Sequence, residues 1–217
     1  MGIVHAENED SLLVDGEDML FAVADGVGGY AGAKIASSMA VGKLKEYNER
    51  IKDEATLRAV IQQIHVEVKK RAKELGIIGM GTTIAAAKVI ADTKEQKLLC
   101  ANVGDSPIFL IRDEDLIPLF FDDSERSTDP SNMWSLFNYL GFGPERIAVH
   151  ATTAQFEKGD ILLLCSDGVS DNILGPENDL PGLGKLVKET RSARAVVSSA
   201  MEIQFKPDDM SAILVFV

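Results

Sequence analysis

Acidic residues recur where short apolar runs meet turns, and this placement constrains the fold more than any other feature of the sequence. Short apolar runs bounded by polar turns are typical of buried strands. The acidic residues so placed are Glu9-Asp10 before 11–14, Asp25 after 21–24, Asp105 in Gly104-Asp105-Ser106, Asp167 after 162–166, and Asp208-Asp209 before the last apolar run. Because side chains at strand ends can converge at one rim of a sheet, we predict a rim that gathers carboxylates.

The helix patterns cover three stretches of the chain. Helices are predicted at 33–50, 54–75 and 186–204. The second has apolar residues at three- and four-residue spacing between Leu57 and Ala72, and Gly76 stands at the position of a C-cap. We expect the first two helices to pair.

The strand patterns are short and separated by polar or glycine turns. Strands are predicted at 19–24, 82–89, 97–103, 107–112, 116–119, 147–152, 161–165 and 211–217. The four between 82 and 119 predict an antiparallel meander. The segment 121–143 is predicted to be a loop with a helical turn, anchored by Trp134, Leu136, Phe137 and Tyr139. Its acidic part, Asp122 to Glu125, is predicted to be solvated.

The composition favours one domain that spans 1–217. Of the 217 residues, 46% are hydrophobic and 26% charged, which is typical of a chain with a single packed core. No linker rich in Pro, Ser or Gly divides it. No heptad seam or apolar patch indicates an oligomer, so a monomer is expected.

The charge disfavours a nucleic-acid partner. Lys and Arg number 22 against 34 Asp and Glu, which gives a formal charge of −12, and such a chain repels polyanions. No apolar stretch approaches the roughly 18 residues of a membrane span, and the N-terminus has no signal-peptide pattern. Cys100 and Cys165 lie in apolar runs, which is typical of reduced thiols. We therefore expect a cytoplasmic protein without membrane contact.

Gathered carboxylates need positive charge, and few basic residues lie near these points. Buried carboxylates are costly unless a cation compensates them. Several carboxylate and carbonyl oxygens suit Mg²⁺ or Mn²⁺, while the lack of a Cys/His cluster argues against zinc. The sequence therefore predicts a site for a hard divalent cation.

Six short motifs follow one another along nearly the whole chain. They are Asn8-Glu9-Asp10-Ser11, Ala24-Asp25-Gly26-Val27-Gly28-Gly29, Gly79-Met80-Gly81-Thr82-Thr83, Ala101-Asn102-Val103-Gly104-Asp105-Ser106, Leu163-Leu164-Cys165-Ser166-Asp167-Gly168-Val169-Ser170-Asp171 and Asp208-Asp209-Met210-Ser211. In this order they resemble the metal-dependent protein Ser/Thr phosphatases of the 2C type, and the second motif looks like the prokaryotic branch.

The resemblance implies an α+β fold, a four-layer α-β-β-α sandwich with two antiparallel sheets flanked by helix pairs. It implies a phosphomonoester hydrolase that removes phosphate from phosphoserine and phosphothreonine in proteins. The attacking water would bridge two divalent metals, Mn²⁺ or Mg²⁺, and such a pair can activate and orient it without a covalent nucleophile. Phosphorylated proteins are the implied partners.

The resemblance also implies the roles of individual residues. Asp25, Asp167 and Asp208 correspond to the catalytic residues, and Asp25 with the Gly26 carbonyl would bridge the two ions. The implied metal ligands are Glu9, Asp10, Asp25, Gly26, Asp167 and Asp208, with Asp105 and Asp171 holding a possible third ion.

Some positions depart from the family pattern. His5 stands where relatives carry an Arg that clamps the substrate phosphate, so His5 is the predicted phosphate contact and weaker binding is expected. Val27 replaces a histidine of the eukaryotic branch, Lys34 replaces a Glu, and Asp209 replaces an Asn. An alternative function is therefore a catalytically weak or inactive member that binds metal or phosphoproteins as a regulator. His65 and His150 are expected to have ordinary packing or surface roles.

Overall fold

A computed structural model describes residues 7–27, 32–91, 95–113, 115–126, 134–175 and 180–216, which form helices and antiparallel strands. The strands are β1 (Ser11–Asp15), β2 (Leu20–Ala24), β3 (Ile84–Ala91), β4 (Gln96–Val103), β5 (Ile108–Arg112), β6 (Asp115–Pro118), β7 (Ser124–Arg126), β8 (Trp134–Leu136), β9 (His150–Gln155), β10 (Ile161–Cys165) and β11 (Ala212–Phe216). The helices are α1 (Ala33–Glu46), α2 (Glu54–Leu75), α3 (Asp167–Leu174), α4 (Leu180–Thr190) and α5 (Ala193–Ile203). His5, Gly28 and Gly29 lie outside the described residues.

Two antiparallel sheets carry most strands of the described part of the chain. The first has the strand order β1-β2-β3-β4-β9 and the second β11-β10-β5-β6, while β7 and β8 form a separate hairpin. All five residues of β2 are buried, as are all five of β10. Both strands are buried on two faces because each sheet is covered on one side by the other sheet and on the other side by helices.

The side chains of β2 show this double burial, since successive residues of a strand point to opposite faces. Phe21 and Val23 belong to the core between the two sheets. Leu20, Ala22 and Ala24 belong to a second core that the first sheet shares with α1 and α2. The short apolar run 19–24 therefore fills two cores at once.

The strand β10 alternates in the same way on the second sheet. Leu162 and Leu164 face the first sheet. Ile161, Leu163 and Cys165 face a third core, which α3, α4 and α5 cover. The layer order α-β-β-α is thereby confirmed, with three helices rather than a pair on the second sheet. Among the described helices, none is both long and apolar enough to cross a membrane.

The predicted helix 54–75 is confirmed, and the predicted helix 33–50 is divided. The Asp53 carboxylate accepts from the Thr56 N–H at the start of α2, and Gly76 ends the helix. The first helix ends at Glu46, and a 3-10 turn follows at Asn48–Arg50. Asn48 is buried there, with its carbonyl oxygen accepting from Lys88 Nζ at 3.0 Å.

The predicted meander from 82 to 119 is wrong, although its four strands exist. The strands β3 and β4 pair in the first sheet, whereas β5 and β6 pair in the second. The chain crosses between the sheets at Gly104, whose φ of 100° lies in the left-handed region. Spacing along the chain predicts strands but does not say which sheet each one joins.

Other boundaries also differ from the predictions. The strand at 147–152 begins later, at His150, and the helix at 186–204 is two helices broken at Arg191, whose φ is 46°. The helix α3 was not predicted, because its residues read as a polar loop. In 121–143 the described residues contain the β7–β8 hairpin and no helix, and Phe137 is 60% exposed whereas Leu140 is buried.

Candidate metal centre

Acidic residues from five segments of the chain meet at one rim of the sandwich. Burial, followed by the charges of Asp10, Asp167, Asp208 and Asp105, raises the pKa of Asp25 well above its usual value. These five carboxylates are therefore close enough to repel one another. The structure brings together residues that lie up to 198 positions apart in the sequence, between Asp10 and Asp208.

Asp25 follows β2 and is fixed through its backbone. The Thr83 N–H and Thr82 Oγ1 both donate to the Asp25 carbonyl oxygen, at 2.8 and 2.7 Å. The Asp25 N–H donates to Thr83 Oγ1 at 3.0 Å. Thr83 Oγ1 also lies 2.7 Å from Ser106 Oγ. The Gly-Thr-Thr motif thus positions Asp25 and links it to the segment that carries Asp105.

Asp10 precedes the edge strand β1 and is only 4% exposed. Ser166 Oγ donates to Asp10 Oδ2 at 3.0 Å, and Lys34 Nζ donates to the Asp10 carbonyl oxygen. Burial raises the pKa of Asp10 to about 6, against the lowering effect of hydrogen bonds from Ser211 and Ser166. An ionised Asp10 is therefore costly unless a cation lies near it.

Asp167 and Asp171 lie one turn apart at the start of α3, and Asp208 approaches the same helix. A Cβ at Gly168 would collide with the Asp209 carbonyl oxygen, so this close approach requires glycine. Burial raises the pKa of Asp171 to about 6 and also raises that of Asp208. The three carboxylates form one side of the rim.

Lys206 is a basic side chain that contacts three of these acids, and the sequence analysis did not identify it. Its Nζ contacts Asp167 Oδ2 and lies 3.2 Å from Asp171 Oδ2 and 3.5 Å from Asp208 Oδ2. Burial alone would lower the pKa of Lys206, but these charges raise it above its usual value. The sequence feature that could have identified Lys206 is its position, two residues before Asp208.

Asp105 is held by the crossing between the sheets. The buried Asp123 accepts from the Gly104 N–H at 3.0 Å, and Asn102 Nδ2 donates to the Gly104 carbonyl oxygen at 3.0 Å. His150 Nε2 lies 3.1 Å from Asp123 Oδ1. The prediction of a solvated acidic loop is therefore wrong for Asp123, which anchors the Asp105 segment.

Glu9 and Asp209 connect the two ends of the described chain. The Glu9 N–H donates to Asp209 Oδ2 at 2.7 Å, and Ser37 Oγ donates to the Glu9 carbonyl oxygen at 2.6 Å. Asp209 therefore positions the segment that precedes Asp10. The role of the Glu9 carboxylate as a ligand stays a prediction, as does that of His5.

The donor set fits a hard divalent cation. Asp10 Oδ1 and Asp167 Oδ1 are buried and have no hydrogen-bond partner among the described residues, which is rare for buried polar atoms. In the ranges that the structure describes, no group of three or more acidic, His or Cys side chains already has metal-binding geometry. Lys206 lies between three of the carboxylates.

Comparisons with known proteins point to one family. The family model described as Stage II sporulation protein E (SpoIIE) matches residues 15–217. The serine/threonine phosphatase stp of Listeria monocytogenes is 33% identical over 195 residues, which cover 81% of this chain and 75% of that protein. The serine/threonine protein phosphatase PstP of Mycobacterium tuberculosis is 28% identical over 193 residues, which cover 79% of this chain and 35% of that protein.

Solved structures share the fold. The catalytic domain of the serine threonine protein phosphatase PstP in complex with 2 manganese ions superposes with a TM-score of 0.77. It is 26% identical, and the alignment covers 98% of this chain and 93% of that one. The chain thus matches 93% of that catalytic domain, whereas the aligned residues cover 35% of the full PstP protein.

Replacement of Asp10 by Asn tests the electrostatic cost of the rim in metal-free protein. Because the folded-state pKa of Asp10 is raised from 3.8 to about 6, its ionised form destabilises the fold above about pH 6, and this penalty fades as the pH falls towards about 4. Asp10→Asn should raise the free energy of unfolding at about pH 7.5 by roughly 1–3 kcal/mol. The increase in the free energy of unfolding that Asp10→Asn causes should be smaller at about pH 4.5.

The measurement is urea unfolding of chelator-treated protein at both pH values. Asp115→Asn, at an exposed position of β6, is the matched control and should change stability by less than about 0.5 kcal/mol. With saturating Mn²⁺ at about pH 7.5, the wild type should become more stable than Asp10→Asn, because the wild type gains more binding energy from the ions. A loss of stability in metal-free Asp10→Asn at about pH 7.5 would contradict the account.

Proposed function

The chain belongs to the prokaryotic SpoIIE/PP2C-type Ser/Thr phosphatases, and from this premise we propose that it removes phosphate from phosphoserine and phosphothreonine in proteins with two divalent cations. The observation that carries the proposal is the convergence of Asp10, Asp25, Asp167 and Asp208. Two of these residues have a buried oxygen without a hydrogen-bond partner in the described part of the chain. A rim of this charge and oxygen chemistry favours Mn²⁺ or Mg²⁺.

The proposed ligands follow the family motifs. Asp25, with the Gly26 carbonyl, would bridge the two ions, and Glu9, Asp10, Asp167 and Asp208 would complete their shell. The hydrogen bonds between Asp25 and the pair Thr82 and Thr83 support this role for Asp25, because they fix its backbone before any ion binds. Ser166 does the same for Asp10 by holding one of its carboxylate oxygens.

The chemistry needs no covalent nucleophile. Bound divalent cations supply an activated, oriented water and neutralise charge on the phosphoryl oxygens. The chain's thiols do not take part, because Cys100 and Cys165 are buried and burial raises the pKa of both. The protein's own contribution is to hold the carboxylates in place and to bring few basic side chains close to them.

One further role completes the proposal, and the family resemblance implies one further site. We propose that His5 contacts the substrate phosphate, at the position where relatives carry Arg. The family resemblance also assigns Asp105 and Asp171 to a third, weaker cation. Burial raises the pKa of both residues, so positive charge on this side of the rim would be favourable.

The regulator alternative has less support. The relatives are named as phosphatases, and the acidic residues of the five motifs that contain such residues are present. The presence of His5 where relatives carry Arg changes one proposed phosphate contact and none of the proposed metal ligands. We therefore favour a working enzyme that acts on phosphorylated proteins as a cytoplasmic monomer. The charge of −12 disfavours nucleic-acid substrates.

Removal of the central carboxylates tests the enzyme activity. With Mn²⁺, the wild type should hydrolyse p-nitrophenyl phosphate and a phosphothreonine peptide. Asp25→Asn and Asp208→Asn should each lower kcat/KM by about 10³-fold or more, because the metal pair loses charge and a ligand. Asp115→Asn, which is exposed on β6, should keep wild-type activity. Equal rates in wild type and Asp25→Asn would disprove the enzyme proposal.

The substitution His5→Arg tests the phosphate contact. A guanidinium donates two parallel hydrogen bonds to phosphate, whereas a neutral imidazole donates one. The variant should therefore lower KM for the phosphothreonine peptide by about 5- to 20-fold, which corresponds to roughly 1–2 kcal/mol, with little change in kcat. An unchanged or higher KM would show that His5 does not face the substrate phosphate.

A further inference from the structure

Lys206 places a positive charge inside the acidic rim. Its Nζ contacts Asp167, lies 3.2 Å from an oxygen of Asp171, and lies 3.5 Å from an oxygen of Asp208. The side chain is only 14% exposed. A lysine so enclosed is uncommon unless carboxylates surround it. The ammonium group therefore has the surroundings of a bound cation rather than those of a surface side chain.

The backbone of Lys206 is fixed to the helix that carries two of these acids. The buried Asn172 donates to the Lys206 carbonyl oxygen at 2.7 Å and accepts from the Lys206 N–H at 2.9 Å. The same amide donates to the Gly168 carbonyl oxygen at 2.6 Å. Asn172 thus joins the segment before Asp208 to α3, and it aims the lysine at Asp167 and Asp171 independently of any ion.

The ammonium acts on the two residues that the family pattern links to a further ion. It contacts Asp171 directly, and its charge also acts on Asp105. Asp105 and Asp171 are the two residues that the family resemblance assigns to a third cation. The Asp10 carboxylate instead accepts from Ser166 Oγ at 3.0 Å. The Lys206 charge therefore acts on both residues at which the third cation is expected, as well as on Asp167 and Asp208.

We infer that the Lys206 ammonium takes the place of a third cation, so that this chain binds two divalent ions and supplies the remaining positive charge itself. The inference rests on the proposed function, which provides the two ions. A lysine gives one permanent charge on a fixed backbone and does not exchange with solution, whereas a weakly held ion does. Ion binding should therefore saturate at two even at high Mn²⁺ concentration.

The direct test is a count of bound ions by equilibrium dialysis in Mn²⁺ with elemental analysis. Wild-type protein should bind two ions per chain. Lys206→Gln, which removes the charge and keeps a polar side chain of similar length, should bind three. Lys185→Gln is the matched control, because Lys185 is 74% exposed on α4, and it should bind two. The double variant Lys206→Gln/Asp171→Asn should return to two, since the third ion loses a ligand.

Melting temperature provides a second readout. In chelator, Lys206→Gln should melt several degrees below wild type, because three carboxylates lose their shared partner. Saturating Mn²⁺ should raise its melting temperature by more than it raises that of wild type. Lys206→Arg keeps the charge and should bind two ions, as wild type does.

The possible outcomes separate this inference from the proposed function. Wild type that binds no ion overturns both. Wild type that binds three ions overturns the inference alone, and this count does not depend on any variant folding. Binding of only two ions by Lys206→Gln, with wild-type or higher affinity, also overturns the inference. Lys206 would then either stand at no cation site or compete with one of the two catalytic ions.

Discussion

The mutual repulsion of carboxylates at one rim is the constraint on which the rest of the structure depends. Asp10, Asp25, Asp105, Asp167 and Asp208 approach closely enough for each of the other four to raise the pKa of Asp25. Without positive charge this arrangement opposes folding, because buried like charges cost free energy. The site is therefore built for cations, and stability is given up locally to create it.

The sandwich makes this concentration of charge possible. Cores on both faces of β2 and β10 fix the strands whose ends carry Asp25 and Asp167. Hydrogen bonds with Thr82, Thr83 and Ser166 then hold the acidic segments in place. The rim is thus imposed by the packing of the cores and by hydrogen bonds to the acidic segments, which is how a fold can pre-organise a site whose charges repel one another.

Local patterns in the sequence predicted much of the fold. They did not predict the contacts between segments that are distant in the sequence. The spacing from Leu57 to Ala72 predicted α2 with its bounds, and the acidic strand ends predicted the rim. The crossing at Gly104 between the sheets was not predictable, because turn residues alone do not reveal which sheet a strand joins. Asp123 and Lys206 were missed for a related reason. Each has a role only through partners that the fold brings near it, and neither belongs to a motif.

Manganese anomalous diffraction from crystals soaked in Mn²⁺ tests the central claim most directly. The account predicts two strong peaks that share the Asp25 carboxylate, with Asp10, Asp167 and Asp208 near them and the Lys206 ammonium beside Asp171. A rim with no peak at saturating Mn²⁺, or peaks that lie away from Asp25, would contradict it.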